Sequence, residues 1–104
     1  MKTPIRAGIV GTGFAAELHA DALARCRDAS LTMACGIEGL DKFCGKWGVA
    51  RRTADFKELC NDPEVDVVIV CTPTFVHRPV VEAAAAAGKQ IICEKPLATT
   101  LEDA

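Results

Sequence analysis

No apolar run in this chain approaches the roughly 18 residues that a membrane-spanning helix needs, which argues against a helical span. There is no excess of charge either. Twelve Lys and Arg stand against fourteen Asp and Glu, a net charge of −2. A nucleic-acid or anionic-membrane partner calls for a basic surface, so neither is expected. The six cysteines (Cys26, Cys35, Cys44, Cys60, Cys71 and Cys93) contain no C-x-x-C pair, and none has a histidine at zinc spacing. The expected metal content is none, and the thiols read as small buried hydrophobes. Histidine is scarce: His19 reads as a structural or exposed residue, while His77 follows a strand exit and reads as ordering the loop there. The single tryptophan, Trp47, ends an amphipathic segment and reads as packing. The opening residues Met1-Lys2-Thr3-Pro4 lack the long apolar stretch and small-residue cleavage site of a secretory signal, so the expectation is a cytoplasmic protein.

What remains is a chain of 104 residues, half of them apolar, enough for one small domain with a core. Ile5 to Val10, between Pro4 and Gly11, reads as a buried strand. Ala15, Leu18, Ala22 and Cys26 recur at helical spacing, which predicts a helix from about Phe14 to Arg25. Leu31 to Cys35 is a second strand, and Leu40 to Trp47 a second helix closed by Gly48. Arg51 to Thr53 has room for a short strand, and Asp55 is placed to cap a short helix through Cys60.

Asn61-Asp62-Pro63 is a turn signal. Val65 to Cys71, rich in β-branched residues, reads as a central parallel strand stopped by Pro73. A helix from about Val76 to Ala87 ends at Gly88, and Gln90 to Cys93 is a last strand. Its five consecutive alanines, Ala83 to Ala87, suit a helix lying close to a sheet. This alternation of strand and helix predicts a parallel sheet covered on both faces, a three-layer α/β/α arrangement. Thr99-Thr100-Leu101-Glu102 matches a capping box, so a helix is expected to start there. A domain rarely ends in the first turn of a helix, and the expectation is a piece of a longer enzyme.

Gly11-Thr12-Gly13-Phe14-Ala15-Ala16 is G-x-G-x-x-A, set between a predicted strand and a predicted helix. That context gives it the physics of a doubly wound Rossmann sheet. Gly11 permits the tight turn, Gly13 lets a pyrophosphate approach the backbone, and Ala16 lets helix pack on strand. Free N–H groups at the helix start, from Phe14 and Ala15 onward, attract the phosphate charge. The expected cofactor is NAD or NADP. Glu38 is the carboxylate at the end of the second strand, where the adenosine ribose is gripped. It would accept both ribose hydroxyls and repel a 2′-phosphate, which favours NAD; the competing reading is a solvated loop residue. No arginine immediately follows the strand, although Lys42 is near in sequence.

Three further segments occur in order: D-P-E-V-D-V-V at Asp62 to Val68, Cys71-Thr72-Pro73-Thr74-Phe75-Val76-His77, and A-G-K-x-I-x-C-E-K-P-L-A at Ala87 to Ala98. Together with the I-x-x-G-I-V-G-T-G-F opening, they make the chain resemble the Gfo/Idh/MocA family of oxidoreductases over essentially its whole length. The resemblance implies a doubly wound Rossmann domain belonging to a two-domain enzyme, with the C-terminal substrate domain absent here. It implies hydride transfer to or from a CH–OH group of a sugar, polyol or cyclitol, and a homo-oligomeric full-length enzyme. Lys95 would lie near the nicotinamide and the reacting carbon, and Glu94 near the nicotinamide ribose. Thr72, Pro73 and Thr74 would line the cofactor, and His77 would order that loop. The chain departs from the family at Thr74, where asparagine is common, and at Gly36, where an acidic residue or serine is more usual.

Chemistry bears on Lys95 separately. It follows the carboxyl end of a predicted parallel strand, where open α/β sheets place ligands. A cation there would stabilise negative charge developing on a substrate oxygen, and a buried lysine can move a proton. Pro96 fixes the backbone after it. Two other readings compete. One is a non-catalytic NAD(P)-sensing protein of the same fold. The other is a different Rossmann enzyme, such as a nucleotide-sugar epimerase or a methyltransferase, which lacks the Glu94-Lys95-Pro96 exit.

Overall fold

A computed structural model describes residues 4–72 and 77–93. Among these residues five strands alternate with four helices: β1 (Ile5–Val10), α1 (Phe14–Ala24), β2 (Ala29–Cys35), α2 (Leu40–Trp47), β3 (Arg51–Thr53), α3 (Phe56–Cys60), β4 (Val67–Val70), α4 (His77–Ala86) and β5 (Gln90–Cys93). The strands form one parallel sheet in the order β3-β2-β1-β4-β5. β1 is central, as the glycine-turn reading requires.

The two faces of the sheet carry two cores. Ala7, Ile9, Ala34 and Ile69 pack with Ala16 and Ala20 of α1 and Phe43 and Cys44 of α2. Val10, Met33, Cys35, Val68 and Val70 pack on the other side with Leu59 and Cys60 of α3 and Val80 and Ala84 of α4. Near-continuous apolar strands are what burial on both faces requires. The result is the three-layer, doubly wound sheet expected from the alternation of elements.

Local boundaries differ from the sequence expectation for identifiable reasons. β2 starts at Ala29, because the Ile5 N–H donates to the Asp28 carbonyl at 2.7 Å and draws polar residues into the ladder. β4 is confined to Val67–Val70. Val65 is buried, but its N–H donates to the Asp62 carbonyl in a turn, so its side chain fills the core outside the ladder. In α1 the buried residues are Ala16 and Ala20, while Leu18 is 57% exposed and Ala22 and Cys26 are exposed. A helix apolar on several sides does not declare its core face by periodicity; here the face is chosen by which side chains are small enough for close approach to β1.

The pairing of β1 with β2 shifts between Ala7, opposite Leu31, and Gly8, opposite Met33. Thr32 is the extra residue of a bulge, and its hydroxyl lies 3.3 Å from the carbonyl oxygens of both Ala7 and Glu64. The bulge turns Leu31 toward the α1–α2 core and Met33 toward the α3–α4 core.

The amino ends of β1 and β4 are clasped by charge. The Arg6 guanidinium grips Asp66 through Nε and Nη2, both at 3.1 Å, and also meets Glu64. The Arg6 backbone N–H adds a bond of 2.9 Å to the same carboxylate. Bonding from the Arg6 side chain, then from its N–H, holds the Asp66 carboxyl down at about 2. An unfolded aspartate titrates near 3.9, so this pair contributes fully above about pH 5 and its contribution is lost as pH falls toward about 2. Asp66→Asn should therefore be less stable than wild type at neutral pH and show a shallower loss on acidification, measured by urea unfolding across that range. Among the described residues no helix is long and apolar enough to cross a membrane.

Candidate dinucleotide site

From β1 the chain winds outward through β2 to β3, then returns to β4 on the other side of β1 and continues to β5. The loops leaving the carboxyl ends of β1 and β4 therefore diverge, and a crevice opens between them. A cleft of about 740 Å³ lies there, with Gly11, Thr12, Gly13, Gly36, Glu38 and Thr72 among the residues around it.

Gly11 sits where no other residue fits. Its φ is +123°, and a Cβ would stand 2.7 Å from the Cys71 carbonyl oxygen. The Gly11 N–H donates to the Cys35 carbonyl at 2.8 Å, and the Cys71 N–H donates to the Val10 carbonyl at 2.8 Å. The turn is thus tied to both neighbouring strands before the chain enters α1.

Gly13 is the N-cap of α1, and no side chain caps that helix. The Glu17 N–H is the amide that reaches back to the Gly13 carbonyl, at 3.0 Å. The amides of Phe14, Ala15 and Ala16 precede it and have no helical carbonyl to use. α3 differs, because the Asp55 carboxylate accepts from the Lys57 N–H at 2.9 Å. A Cβ built on Gly13 meets nothing within 4 Å, so backbone faces open space there. Uncapped donors, a helix dipole and room for a bulky anion together fit a diphosphate. Phe14 points its ring into solvent, 80% exposed, so its contribution at this site is its amide. Ala15 is half-buried, and Ala16, fully buried, packs the helix on the sheet.

Across the cleft the β2–α2 turn is held by the first loop. The Thr12 hydroxyl donates to the Glu38 carbonyl at 2.8 Å. Glu38 is exposed, and it is the one charged residue among the described residues lining the cleft. Thr72 lines the β4 side and is half-buried. His77 opens α4. Pro73, Thr74, Glu94, Lys95 and Pro96 lie outside the described residues. β5, which ends two residues before Lys95, is hydrogen-bonded to β4 in register, Val70 opposite Cys93.

Sequence reasoning missed the apolar part of the cleft. Cys35, Ile37, Phe56 and Val80 line it. Burial and then the charge of Asp55 push the Cys35 thiol up to about 11, so it is a neutral wall and not a nucleophile. Cys35 and Phe56 were findable, since each stands at the edge of a predicted element facing the turn. Trp47 is partly buried against the α1–α2 core, and its indole N–H donates to Glu17 Oε2 at 2.7 Å, a packing role as expected. No disulfide joins the cysteines, and no group of metal-ligating side chains occurs among the described residues.

A parallel sheet with its first strand central, and an uncapped helix behind a glycine turn at the switch point, define an α/β dinucleotide-binding domain. The sequence model of the oxidoreductase family with NAD-binding Rossmann fold, Gfo/Idh/MocA, matches residues 5–104, and the chain belongs to that family. It is 38% identical to the myo-inositol 2-dehydrogenase of Thermotoga maritima over 101 residues, 95% of this chain and 30% of that protein. Among solved structures it matches biliverdin reductase from Synechocystis sp. PCC 6803 in complex with biliverdin and NADP+, with a TM-score of 0.90 and 39% identity over 97% of this chain and 32% of that one. It also matches levoglucosan dehydrogenase in complex with NADH, with a TM-score of 0.89 and 31% identity over 95% of this chain and 29% of that one. The chain thus spans about a third of the length of the relatives it matches.

Proposed function

We propose that this chain holds a nicotinamide dinucleotide for an oxidoreductase acting on a CH–OH group of a sugar, polyol or cyclitol. The observation that carries this reading is the uncapped start of α1 behind Gly13, open to the cleft. The names of two relatives, an inositol dehydrogenase and a levoglucosan dehydrogenase, support the substrate class. Nicotinamide, when bound, supplies or accepts the hydride. Gly11 and Gly13 shape the cradle, and the amides of Phe14 and Ala15 hold the diphosphate. Glu38 binds the adenosine ribose, while Thr72, Pro73 and Thr74 line the cofactor. His77 orders that segment. Glu94 contacts the nicotinamide ribose, and Pro96 fixes the backbone so that Lys95 presents its ammonium to the substrate oxygen. There Lys95 Nζ stabilises the developing negative charge and holds the proton that moves.

The substrate pocket is assigned to a C-terminal domain, which the greater length of the relatives supports, in a homo-oligomeric cytoplasmic enzyme. Calorimetric titration of the present chain should give a weak binding isotherm with NAD(H) and no turnover. No heat with either dinucleotide at about millimolar concentration, in the affinity range of weak complexes, would overturn the reading. In an enzyme that includes the substrate domain, Lys95→Ala should lower kcat on the order of 100-fold or more while leaving dinucleotide Kd nearly unchanged. Equal losses in both would move Lys95 from chemistry to binding.

A further inference from the structure

The β2–α2 turn is built around Thr12, a residue of the other loop. The Thr12 hydroxyl bonds the Glu38 carbonyl at 2.8 Å. Its methyl occupies the place a side chain at position 36 would need, since a Cβ on Gly36 would stand 2.7 Å from Thr12 Cγ2. The turn is pinned on both sides of that contact. The Gly36 N–H donates to the Thr53 carbonyl at 3.1 Å, and the Phe43 N–H donates to the Gly39 carbonyl at 2.9 Å. Gly39 takes φ +73°, which reverses the chain directly after Glu38. Glu38 is therefore held on a turn with fixed ends, and Thr12 supplies the clasp at its middle.

We propose that Thr12 is a positioning residue for dinucleotide selectivity: its clasp on the Glu38 carbonyl holds the Glu38 carboxylate at the edge of the cleft, where it accepts a ribose 2′-hydroxyl and rejects a 2′-phosphate. Thr12 and Gly36 act as a pair, because the threonine methyl uses the volume that a side chain at position 36 would fill. The carboxylate is thereby carried two positions further along the turn. Glu38 is the one charged residue among the described residues lining the cleft, and none of those residues is a cation that would offset its repulsion of a 2′-phosphate. The proposal rests on the reading of the cleft as a dinucleotide site.

The test is a calorimetric comparison of NAD+ and NADP+ on the wild-type chain, Thr12→Val, Thr12→Ser, Glu38→Gln and the Thr12→Val/Glu38→Gln double variant. Valine keeps the shape and removes the donor, whereas serine keeps the donor. The wild type should prefer NAD+. Thr12→Val should lower the NAD+ to NADP+ affinity ratio about tenfold, equivalent to about 1.4 kcal/mol. Thr12→Ser should restore most of that ratio. The double variant should lose no more selectivity than Glu38→Gln alone, the signature of one residue acting through another. An unchanged ratio in Thr12→Val, or equal weakening of both dinucleotides, would overturn the positioning role. A wild-type chain without NAD+ preference would overturn the role of Glu38 as well. A wild type that binds neither dinucleotide would instead remove the underlying assignment of the cleft.

Discussion

Gly13→Asp should make the protein more stable and at the same time destroy its affinity for dinucleotide. Position 13 is the N-cap of α1, with extended backbone and no side-chain cap. A Cβ there meets nothing within 4 Å. Aspartate is among the strongest N-caps, and its charge interacts favourably with the helix dipole, so a gain of about 0.5–1 kcal/mol in stability is expected. The same carboxylate takes the donors proposed for the diphosphate and sets a like charge against it. Dinucleotide affinity should fall on the order of 100-fold or more, about 2.8 kcal/mol. Thermal unfolding and calorimetry on one preparation read both effects. A stabilised variant that still binds would mean that the amides at the start of α1 do not hold the phosphates.

The second large effect is in the fold itself. Gly11→Ala should destabilise the chain by about 2–5 kcal/mol, combining a strained backbone with a steric clash. At φ +123° an L side chain is strained, and its Cβ would press within 2.7 Å of the Cys71 carbonyl oxygen on β4. Neither neighbour yields easily, since Gly11 is tied to Cys35 and Cys71 is tied to Val10. For a domain of this size the melting temperature should drop by about 10 °C or more. A variant that melts with the wild type would show that the turn relaxes freely. The two glycines thus separate cleanly: Gly11 is required by the chain, Gly13 by what the chain binds.

Much of the order of elements was legible because glycines and prolines punctuate it. Gly11 ends β1, Gly48 and Gly88 stop α2 and α4 with positive φ, and Asp55 caps α3. The bounds of α2, β3 and β5 follow directly. The buried face of α1 was not legible, because its apolar residues surround the helix and only the small size of Ala16 and Ala20 selects a side. The Thr32 bulge was hidden as well. It depends on a partner strand about 25 residues away in sequence, and periodicity within one strand carries no record of that register.

In the site, the glycine turn was legible because each of its positions carries a steric demand. The clasp from Thr12 to Glu38 was not, since it joins two loops through a main-chain carbonyl that any residue would provide. Glu38 itself could be named from its place after β2. The emptiness at Gly36 is explained only when the Thr12 methyl is seen beside it.

The most direct test is an amide NMR titration of the uniformly labelled chain, first with NAD+ and then with inorganic pyrophosphate alone. The signals of Gly13, Phe14 and Ala15 should move most with NAD+, and pyrophosphate should move the same signals in the same direction. Binding of NAD+ that leaves those three amides in place, while shifting signals elsewhere, would contradict the assignment of the α1 terminus as the anion cradle.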